Sequence, residues 1–251
     1  MDPIILFKQT NFSKTIWWKL KSNISGYKDE LNDNLVTEIL KNRLFRVLSP
    51  KVYRICFNVK SRILIQLFED GYICWVNFDQ LEIERTTLRK GKINRNEQLF
   101  IQTQIPAILN WILWQSYKPN TYKWGGTFGP NFDCSGLIQT AFMKKKIYLP
   151  RDAYQMRNFC KHLFRFPNKI DSLRMGDLIF FGNKKRVDHV GIYFKNGFYF
   201  HSSGREFGRN GIALDCLLDV AKEDNISKYY KSQLNSAGRI IRSYRWDQTI
   251  R

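Results

Sequence analysis

The pattern of apolar and polar positions predicts different elements in the two halves of the chain. In residues 15–85, short runs rich in valine, isoleucine, phenylalanine and tyrosine alternate with turn-forming Ser-Pro and Asp-Gly pairs. The runs are RLFRVLS, YRICFNV, ILIQLF and YICWVNF. Several short strands separated by turns indicate a small β-barrel, so we expect one at residues 1–85.

The second half predicts helices followed by antiparallel strands. Amphipathic patterns predict helices at 103–116, 134–146 and 152–163. Apolar runs predict strands at 177–182, 189–194 and 198–203, and the last two flank the hairpin signal Lys-Asn-Gly. We therefore expect an α+β fold with a barrel domain at 1–85, a polar linker at 86–100 and a second domain at 101–251.

Composition and charge change this picture little. The 251 residues are 43% hydrophobic, which is enough for a sizeable core, and the formal net charge is +19. Such a charge raises the possibility of nucleic-acid binding, which would give steeply salt-dependent retention on DNA. Since no nucleic-acid motif accompanies the charge, we interpret it as solvated lysine and arginine and expect no nucleic-acid partner.

The cysteines and the N-terminus bear on the compartment. The five cysteines are Cys56, Cys74, Cys134, Cys160 and Cys216, an odd number without a CxxC pair, which argues against a disulfide framework or a zinc ribbon. The N-terminal segment lacks the pattern of a signal peptide, and no apolar run approaches the ~20 residues of a membrane span. We expect a cytoplasmic, monomeric protein without a membrane partner.

Cys134 stands at the start of a predicted helix, CSGLIQTAFMKKK. A thiol at a helix N-terminus meets unpaired N–H groups and the positive end of the helix dipole, which lower its pKa. Because the thiolate is the reactive form, Cys134 is a candidate nucleophile. A buried structural thiol is the alternative for any single cysteine.

Two of the three histidines lie on the predicted hairpin. His162 falls in a predicted helix without a partner motif, and we interpret it as structural or exposed. A plain two-residue turn would place His189 and His201 on opposite faces of the sheet. A three-residue loop or an equivalent bulge would place them on one face, roughly 7–8 Å apart at the backbone. A working Cys–His–His triad therefore predicts that loop or bulge.

A zinc site built from Cys134, His189 and His201 is an alternative, because three nitrogen and sulfur ligands with an open position suit catalytic zinc. We favour a nucleophile, since Asp-Cys-Ser-Gly at a helix start fits a reactive thiol better than a metal ligand. We accordingly expect no metal and no cofactor.

Three segments, YKWGGTFGPNFDCSGLIQTAF, RMGDLIFF and DHVGIYFKNGFYFHSSG, form an ordered set of motifs over roughly residues 115–215. They resemble the NlpC/P60 family of papain-like cysteine peptidases, which implies helices packed on an antiparallel sheet. The resemblance also implies roles: Cys134 is the nucleophile, His189 the general base and His201 the residue that orients the base. Tyr122 resembles the tyrosine whose hydroxyl holds the oxyanion, together with the backbone N–H of Cys134.

The resemblance further implies substrate contacts around the nucleophile. Asp133 resembles the residue that binds the free amine of the peptide, and a helix N-cap is its alternative role. Ser135 lies at the helix entrance and is also a candidate contact. Arg151 and Asp152 are expected to line the site for the D-Glu or diamino-acid end of the substrate.

The segment LFEDGYICWVNFDQLE resembles the end of a bacterial SH3 domain, with Cys74 in place of the usual glycine. An SH3 domain before an NlpC/P60 domain resembles the cyanobacterial γ-D-glutamyl-L-diamino acid endopeptidases. In those enzymes the SH3 domain restricts the cleft to peptides with a free N-terminal L-Ala. Glu69 and Tyr72 are candidates for that wall, and ordinary core or surface positions are the alternative.

The implied function is hydrolysis of the γ-D-glutamyl–diaminopimelate bond in peptidoglycan-derived peptides, as in wall-peptide recycling. An N-acetylmuramoyl-L-alanine amidase or an acyltransferase on the same scaffold is an alternative. A non-catalytic wall-binding module is another alternative, against which the intact Cys134, His189 and His201 argue.

Overall fold

The chain forms two compact units in a computed structural model. The structure describes residues 16–53, 62–86, 97–165, 170–183, 185–218 and 224–246, without the side chains of 49–53 and 165. One unit comprises residues 1–93 with 245–251, and the other comprises 94–244. Most of the predicted linker, residues 87–96, lies outside the described residues. The sequence pattern did not indicate that the chain returns to the first unit at residue 245.

Antiparallel strands form the N-terminal unit. They are β1 Trp17–Leu20, β2 Ile24–Tyr27, β3 Leu35–Ile39, β4 Leu44–Tyr53, β5 Arg62–Leu67, β6 Ile73–Asn77 and β7 Ile83–Thr86. Their order in the sheet is β3-β2-β6-β5-β4-β1-β7. Three of the four predicted runs contribute strands β4, β5 and β6, whereas most of YRICFNV lies outside the described residues.

The predicted closed barrel is not observed in the described part of this unit. Strands β3 and β7 are the two edges of the sheet and do not pair with each other there. The ladder between β4 and β5 shifts register twice, between Val47 and Ser49 and between Ser49 and Tyr53. Such irregularities bend a strand and increase its twist without requiring closure. The resemblance to an SH3 domain therefore stays a prediction.

The other unit contains the second antiparallel sheet. Its strands are β8 Lys161–Arg165, β9 Leu178–Gly182, β10 Val187–Lys195, β11 Phe198–Ser203, β12 Gly211–Cys216 and β13 Leu234–Arg239. The order is β12-β11-β10-β9-β13-β8. The three predicted strands are confirmed as β9, β10 and β11.

The described α-helices all belong to this second unit. They are α1 Glu97–Ser116, α2 Cys134–Met143, α3 Ala153–Phe159 and α4 Asn225–Ser232. Helix α1 begins six residues before the predicted 103. The prediction of one helix over 152–163 is wrong at its end, because the chain after Cys160 becomes strand β8 and pairs with β13. His162 therefore lies on an edge strand and is exposed.

Each face of the second sheet has its own core. Helices α1, α2 and α3 pack on one face against residues such as Phe180, Val190 and Ile192. The other face carries a cluster of Phe181, Tyr199 and Tyr230, the last from α4. This α+β arrangement of helices on an antiparallel sheet agrees with the sequence prediction. No helix in the described ranges combines the length and apolarity that crossing a membrane requires.

Candidate active site

Asp133 fixes the start of helix α2 and thereby the position of Cys134. Its backbone is extended, and its Oδ1 accepts a hydrogen bond of 2.6 Å from the N–H of Gly136. This is the geometry of an N-cap, so that alternative for Asp133 is confirmed. Gly136 allows a close approach here: a Cβ at this position would lie 2.0 Å from the carbonyl oxygen of Gly126.

Asp133 is also the centre of a buried polar cluster. Its Oδ2 accepts from the N–H of Gly125 at 2.9 Å, and both its oxygens accept from the guanidinium of Arg151. The same guanidinium donates to Ser135 Oγ at 2.8 Å. Arg151 and Ser135 are both buried and thus hold the N-cap. Direct contacts of Asp133, Ser135 and Arg151 with a substrate stay predictions. Such contacts would use polar groups that already hydrogen-bond within the protein.

Cys134 itself is buried beside strand β10. Its Sγ lies 3.9 Å from the carbonyl oxygen of Asp188, the residue before His189. Burial, followed by the nearby carboxylate of Asp133, raises the pKa of the Cys134 thiol to about 12, although a hydrogen bond from the Val190 N–H lowers it. The predicted lowering of this pKa is therefore wrong, because loss of solvent outweighs the helix terminus. The thiol is neutral at pH 7.

The hairpin between β10 and β11 has the predicted irregularity. Asn196 and Gly197 both have positive φ, as a tight two-residue turn requires. The register then shifts: Lys195 pairs with Phe198, but Tyr193 pairs with Tyr199. Phe194 is thus an extra residue on β10, and it brings His189 and His201 to one face. The prediction of a loop or an equivalent bulge is confirmed.

The two histidine rings are hydrogen-bonded. His189 Nε2 lies 2.8 Å from His201 Nδ1, and the rings are nearly perpendicular. Burial, together with the charge that His201 would carry, holds the pKa of His189 well below its ordinary value. Burial also lowers the pKa of His201, and Asp215 only partly offsets this effect. Both imidazoles are therefore neutral near pH 7, and the Nδ1 of His189 is not used by His201.

Asp215 is a member of the site that the sequence analysis missed. Its Oδ2 lies 2.8 Å from His201 Nε2, and its Oδ1 accepts from Arg209 Nε at 2.9 Å. The signal was present in GIALDC, where an acidic residue interrupts an apolar alternation. In the observed register His201 pairs with Ala213 and Tyr199 with Asp215, so Asp215 is the diagonal neighbour of His201 on one face.

Tyr122 lies near the thiol, as the motif predicts. Burial raises the pKa of its hydroxyl, and the charge that Cys134 would carry as a thiolate, followed by that of Asp133, raises it further. The hydroxyl therefore stays protonated and able to donate over the whole working pH range. Tyr230 of α4 is also close, because its ring packs on His189 with centroids 4.8 Å apart. Sequence reasoning gave no indication of Tyr230.

The remaining predicted contacts have local structural partners. Asp152 is the N-cap residue of α3, and its N–H donates to Gln155 Oε1 at 3.2 Å. In the N-terminal unit, Glu69 Oε2 accepts from Arg43 Nε at 3.1 Å and Oε1 accepts from the Leu44 N–H. Tyr72 packs against that unit's core. Roles of Asp152, Glu69 and Tyr72 toward a substrate stay predictions.

The zinc alternative does not agree with the hydrogen bonds of the histidines. Both ring nitrogens of His201 are engaged, one by His189 and the other by Asp215. Within the ranges that the structure describes, no three His, Cys, Asp or Glu side chains converge as metal ligands. The arrangement of a thiol, two linked imidazoles and a carboxylate instead suits nucleophilic catalysis.

Comparison with protein families identifies the second unit. Residues 119–236, which contain Cys134, His189, His201 and Asp215, match the NlpC/P60 family. This segment is an NlpC/P60 domain. The family expected from the motifs is thus confirmed for this part of the chain.

Named relatives of the NlpC/P60 domain include peptidases. The bifunctional muramidase/DL-endopeptidase CwlT of Bacillus subtilis is 36% identical over 128 residues, which are 49% of this chain and 33% of that protein. The γ-D-glutamyl-L-lysine dipeptidyl-peptidase of the same species is 36% identical over 84 residues, 32% of this chain and 27% of that protein. The chain therefore spans about a third or less of these relatives' lengths.

One solved structure that the chain matches is that of an NlpC/P60 family protein from Bacillus cereus. The chains are 19% identical, and the match covers 92% of this chain and 65% of that one with a TM-score of 0.45.

Proposed function

We propose that the protein is a cysteine endopeptidase that hydrolyses the γ-D-glutamyl–diaminopimelate bond of wall-derived peptides with a free N-terminal L-Ala. The observation that carries the proposal is the hydrogen-bonded pair His189–His201 on the strands next to the Cys134 thiol. The choice of bond is supported by the motif resemblance and by the relative whose name specifies a γ-D-glutamyl linkage.

The proposed reaction begins from a neutral thiol and a neutral imidazole. The Sγ of Cys134 attacks the γ-carbonyl carbon of D-Glu while its proton passes to His189. Cys134 is the first residue of α2, where backbone N–H groups lack intrahelical acceptors, so we propose its N–H as one donor to the oxyanion and the Tyr122 hydroxyl as the other. His189 then protonates the leaving amine, and water hydrolyses the thioester.

We expect the orientation of the Cys134 side chain to change when substrate binds. In this structure the thiol contacts the Asp188 carbonyl, and its hydrogen bond is not to His189. Catalytic hydrogen bonds are often long or misaligned in free enzymes and shorten when substrate binds. We therefore expect the side chain of Cys134 to rotate toward the Nδ1 of His189 on binding.

A cationic cavity next to β10 supports an anionic peptide substrate. Its volume is about 430 Å³, and its lining includes Arg157, Lys185, Arg186 and Val187, with no acidic side chain among the described residues that line it. Val187 belongs to the core under the helices, whereas His189 packs on Phe181 on the other face, because the register of β10 shifts between them. We propose that the cavity attracts carboxylates of the peptide to the surface of the domain.

The test is product identification by mass spectrometry after incubation with L-Ala-γ-D-Glu-diaminopimelate. We expect L-Ala-D-Glu and free diaminopimelate. The N-acetylated peptide should be resistant, and the peptide with amidated diaminopimelate carboxylates should be cut with a higher KM. Cleavage after muramic acid in a muropeptide, or transfer of the acyl group to an alcohol, would replace the proposal with the amidase or the acyltransferase alternative.

A further inference from the structure

A chain of hydrogen bonds extends from the two histidines beyond the predicted triad. It runs from His189 through His201 to Asp215, and from there to Arg209 and Asp224. His201 is fully buried and Asp215 nearly so. Every link on the histidine side is a normal hydrogen bond of 2.8 Å.

We infer that Asp215 is a positioning residue that sets the tautomers of both histidines and leaves the Nδ1 of His189 unprotonated to receive the Cys134 proton. The expected effect on kcat rests on the proposed function, but the expected histidine tautomers do not require any activity.

The donors and acceptors along this chain determine each proton position in turn. An ionised carboxylate only accepts hydrogen bonds, so the proton of neutral His201 must be on Nε2, facing Asp215. The Nδ1 of His201 is then an acceptor. The partner nitrogen, His189 Nε2, must therefore carry the proton of His189. The remaining nitrogen, His189 Nδ1, is left as the base.

Arg209 keeps Asp215 ionised and fixed. Burial alone would raise the pKa of Asp215, but the hydrogen bonds from His201 and Arg209 hold it below its ordinary value. Arg209 in turn pairs with Asp224, the N-cap of α4, the helix that supplies Tyr230. When His189 takes up a proton, the nearby carboxylate also stabilises the new positive charge through His201.

The contacts of Arg209 make Asp215→Asn a sharp test. Since both described contacts of Arg209 with Asp215 go to Oδ1, the amide oxygen of Asn will take that place, because Arg209 can only donate. The amide NH₂ then faces His201 Nε2 and donates to it. This moves the proton of His201 to Nδ1 and that of His189 to its own Nδ1. The base is lost although its position is unchanged.

A second substitution should restore the tautomer. In the double variant Asp215→Asn with Arg209→Met, the amide is free to rotate and to present its oxygen to His201 Nε2. We expect Asp215→Asn to lower kcat by about 10²–10⁴, the usual contribution of a general base, with little change in KM. The double variant should be faster than Asp215→Asn.

Asp177→Asn is the matched control. Asp177 is equally buried, directly before β9 of the same sheet, and makes a two-bond pair with Arg239, 2.7 and 2.8 Å, but has no histidine partner among the described residues. The Asp177→Asn variant should lose stability as Asp215→Asn does. It should keep the kcat and the histidine tautomers of the unmodified protein.

Nitrogen-15 NMR of the imidazoles supplies the readout that does not depend on turnover. The chain has three histidines, and the exposed His162 is assigned by His162→Gln. In the unmodified protein His189 and His201 should both be protonated on Nε2, and in Asp215→Asn both on Nδ1. Unchanged tautomers in Asp215→Asn, or His189 protonated on Nδ1 in the unmodified protein, would overturn the inference.

The two proposals fail separately. If the unmodified protein has the expected tautomers but does not cut the peptide, the proposed function fails and the positioning role of Asp215 stands. If Asp215→Asn does not fold, the spectrum of the unmodified protein alone decides, because it must show Nε2 protonation of both rings.

Discussion

Burial sets the protonation states of the groups that would do the chemistry. Cys134 has a raised pKa and His189 a lowered one, so neither carries a charge at pH 7. A reactive thiolate–imidazolium pair in the resting state is therefore not expected. The proton is transferred when the substrate binds and the thiol attacks, and this has a direct consequence for the pH profile.

We predict that kcat/KM stays high at pH values below 6.5, the ordinary pKa of histidine. The active form has neutral His189, and a lowered pKa means that protonation requires more acid. Activity should fall only as the pH drops through that lowered pKa. Stopped assays with the tripeptide across the acid range test this, and a half-loss at or above pH 6.5 would contradict it.

We predict that Tyr122→Phe lowers kcat by ~10²–10³ with little change in KM, the usual effect of removing one oxyanion donor. The raised pKa of Tyr122 adds a second expectation: the unmodified enzyme should not lose activity between pH 9 and about 10, where an ordinary tyrosine ionises. Tyr117→Phe, at an exposed tyrosine before the motif, is the control. Equal kcat values for Tyr122→Phe and the unmodified enzyme would exclude Tyr122 as an oxyanion donor.

At the scale of elements, two local devices bring the nucleophile and base together: the N-cap of α2 and the bulge in the hairpin. The hairpin could be predicted, since the spacing of His189 and His201 permits a shared face only with an extra residue. The N-cap was foreseen as one role of Asp133. Arg151, the buried partner of Asp133, was expected to contact the substrate. A sequence alone does not show that this arginine is removed from solvent.

We predict that Arg151→Ala lowers the free energy of unfolding by about 3–5 kcal/mol, since it leaves the Asp133 carboxylate buried and unpaired by its cation. Arg157→Ala removes a partly exposed arginine from α3 and should cost much less. Urea denaturation of both variants gives the comparison. A loss for Arg151→Ala no larger than for Arg157→Ala would contradict the proposed support of the N-cap.

At the scale of the whole molecule, the sequence predicted the α+β class and a division near the linker, because composition and periodicity change there. It did not predict that residues 245 and 246 return to the N-terminal unit. That contact depends on surfaces formed by distant residues: Trp246 donates to the Phe68 carbonyl at 2.6 Å and packs on Trp17. Asp215 was missed for the same reason, since its partner His201 comes from another strand and its partner Arg209 from the loop before β12.

We predict that Trp246→Ala destabilises the N-terminal unit by about 1–3 kcal/mol, less than the ~3–5 kcal/mol of a fully buried aromatic because Trp246 is half-buried. Gly71 lies against the Trp246 ring, so hydrogen exchange of the Gly71 amide reports on the packing of Trp246. Hydrogen exchange should accelerate in strands β4 and β5 and stay unchanged in β9 and β10. Acceleration confined to the NlpC/P60 domain would contradict this assignment.

The central claim is that Cys134 is the nucleophile of a peptidase, and two alanine variants test it directly. Cys160 lies in the same unit, is buried and free like Cys134, and also has a raised pKa, so Cys160→Ala is the matched control. The measurement is the rate of diaminopimelate release from L-Ala-γ-D-Glu-diaminopimelate. The account predicts release by Cys160→Ala and none by Cys134→Ala, and release by Cys134→Ala at the rate of the unmodified protein would contradict it.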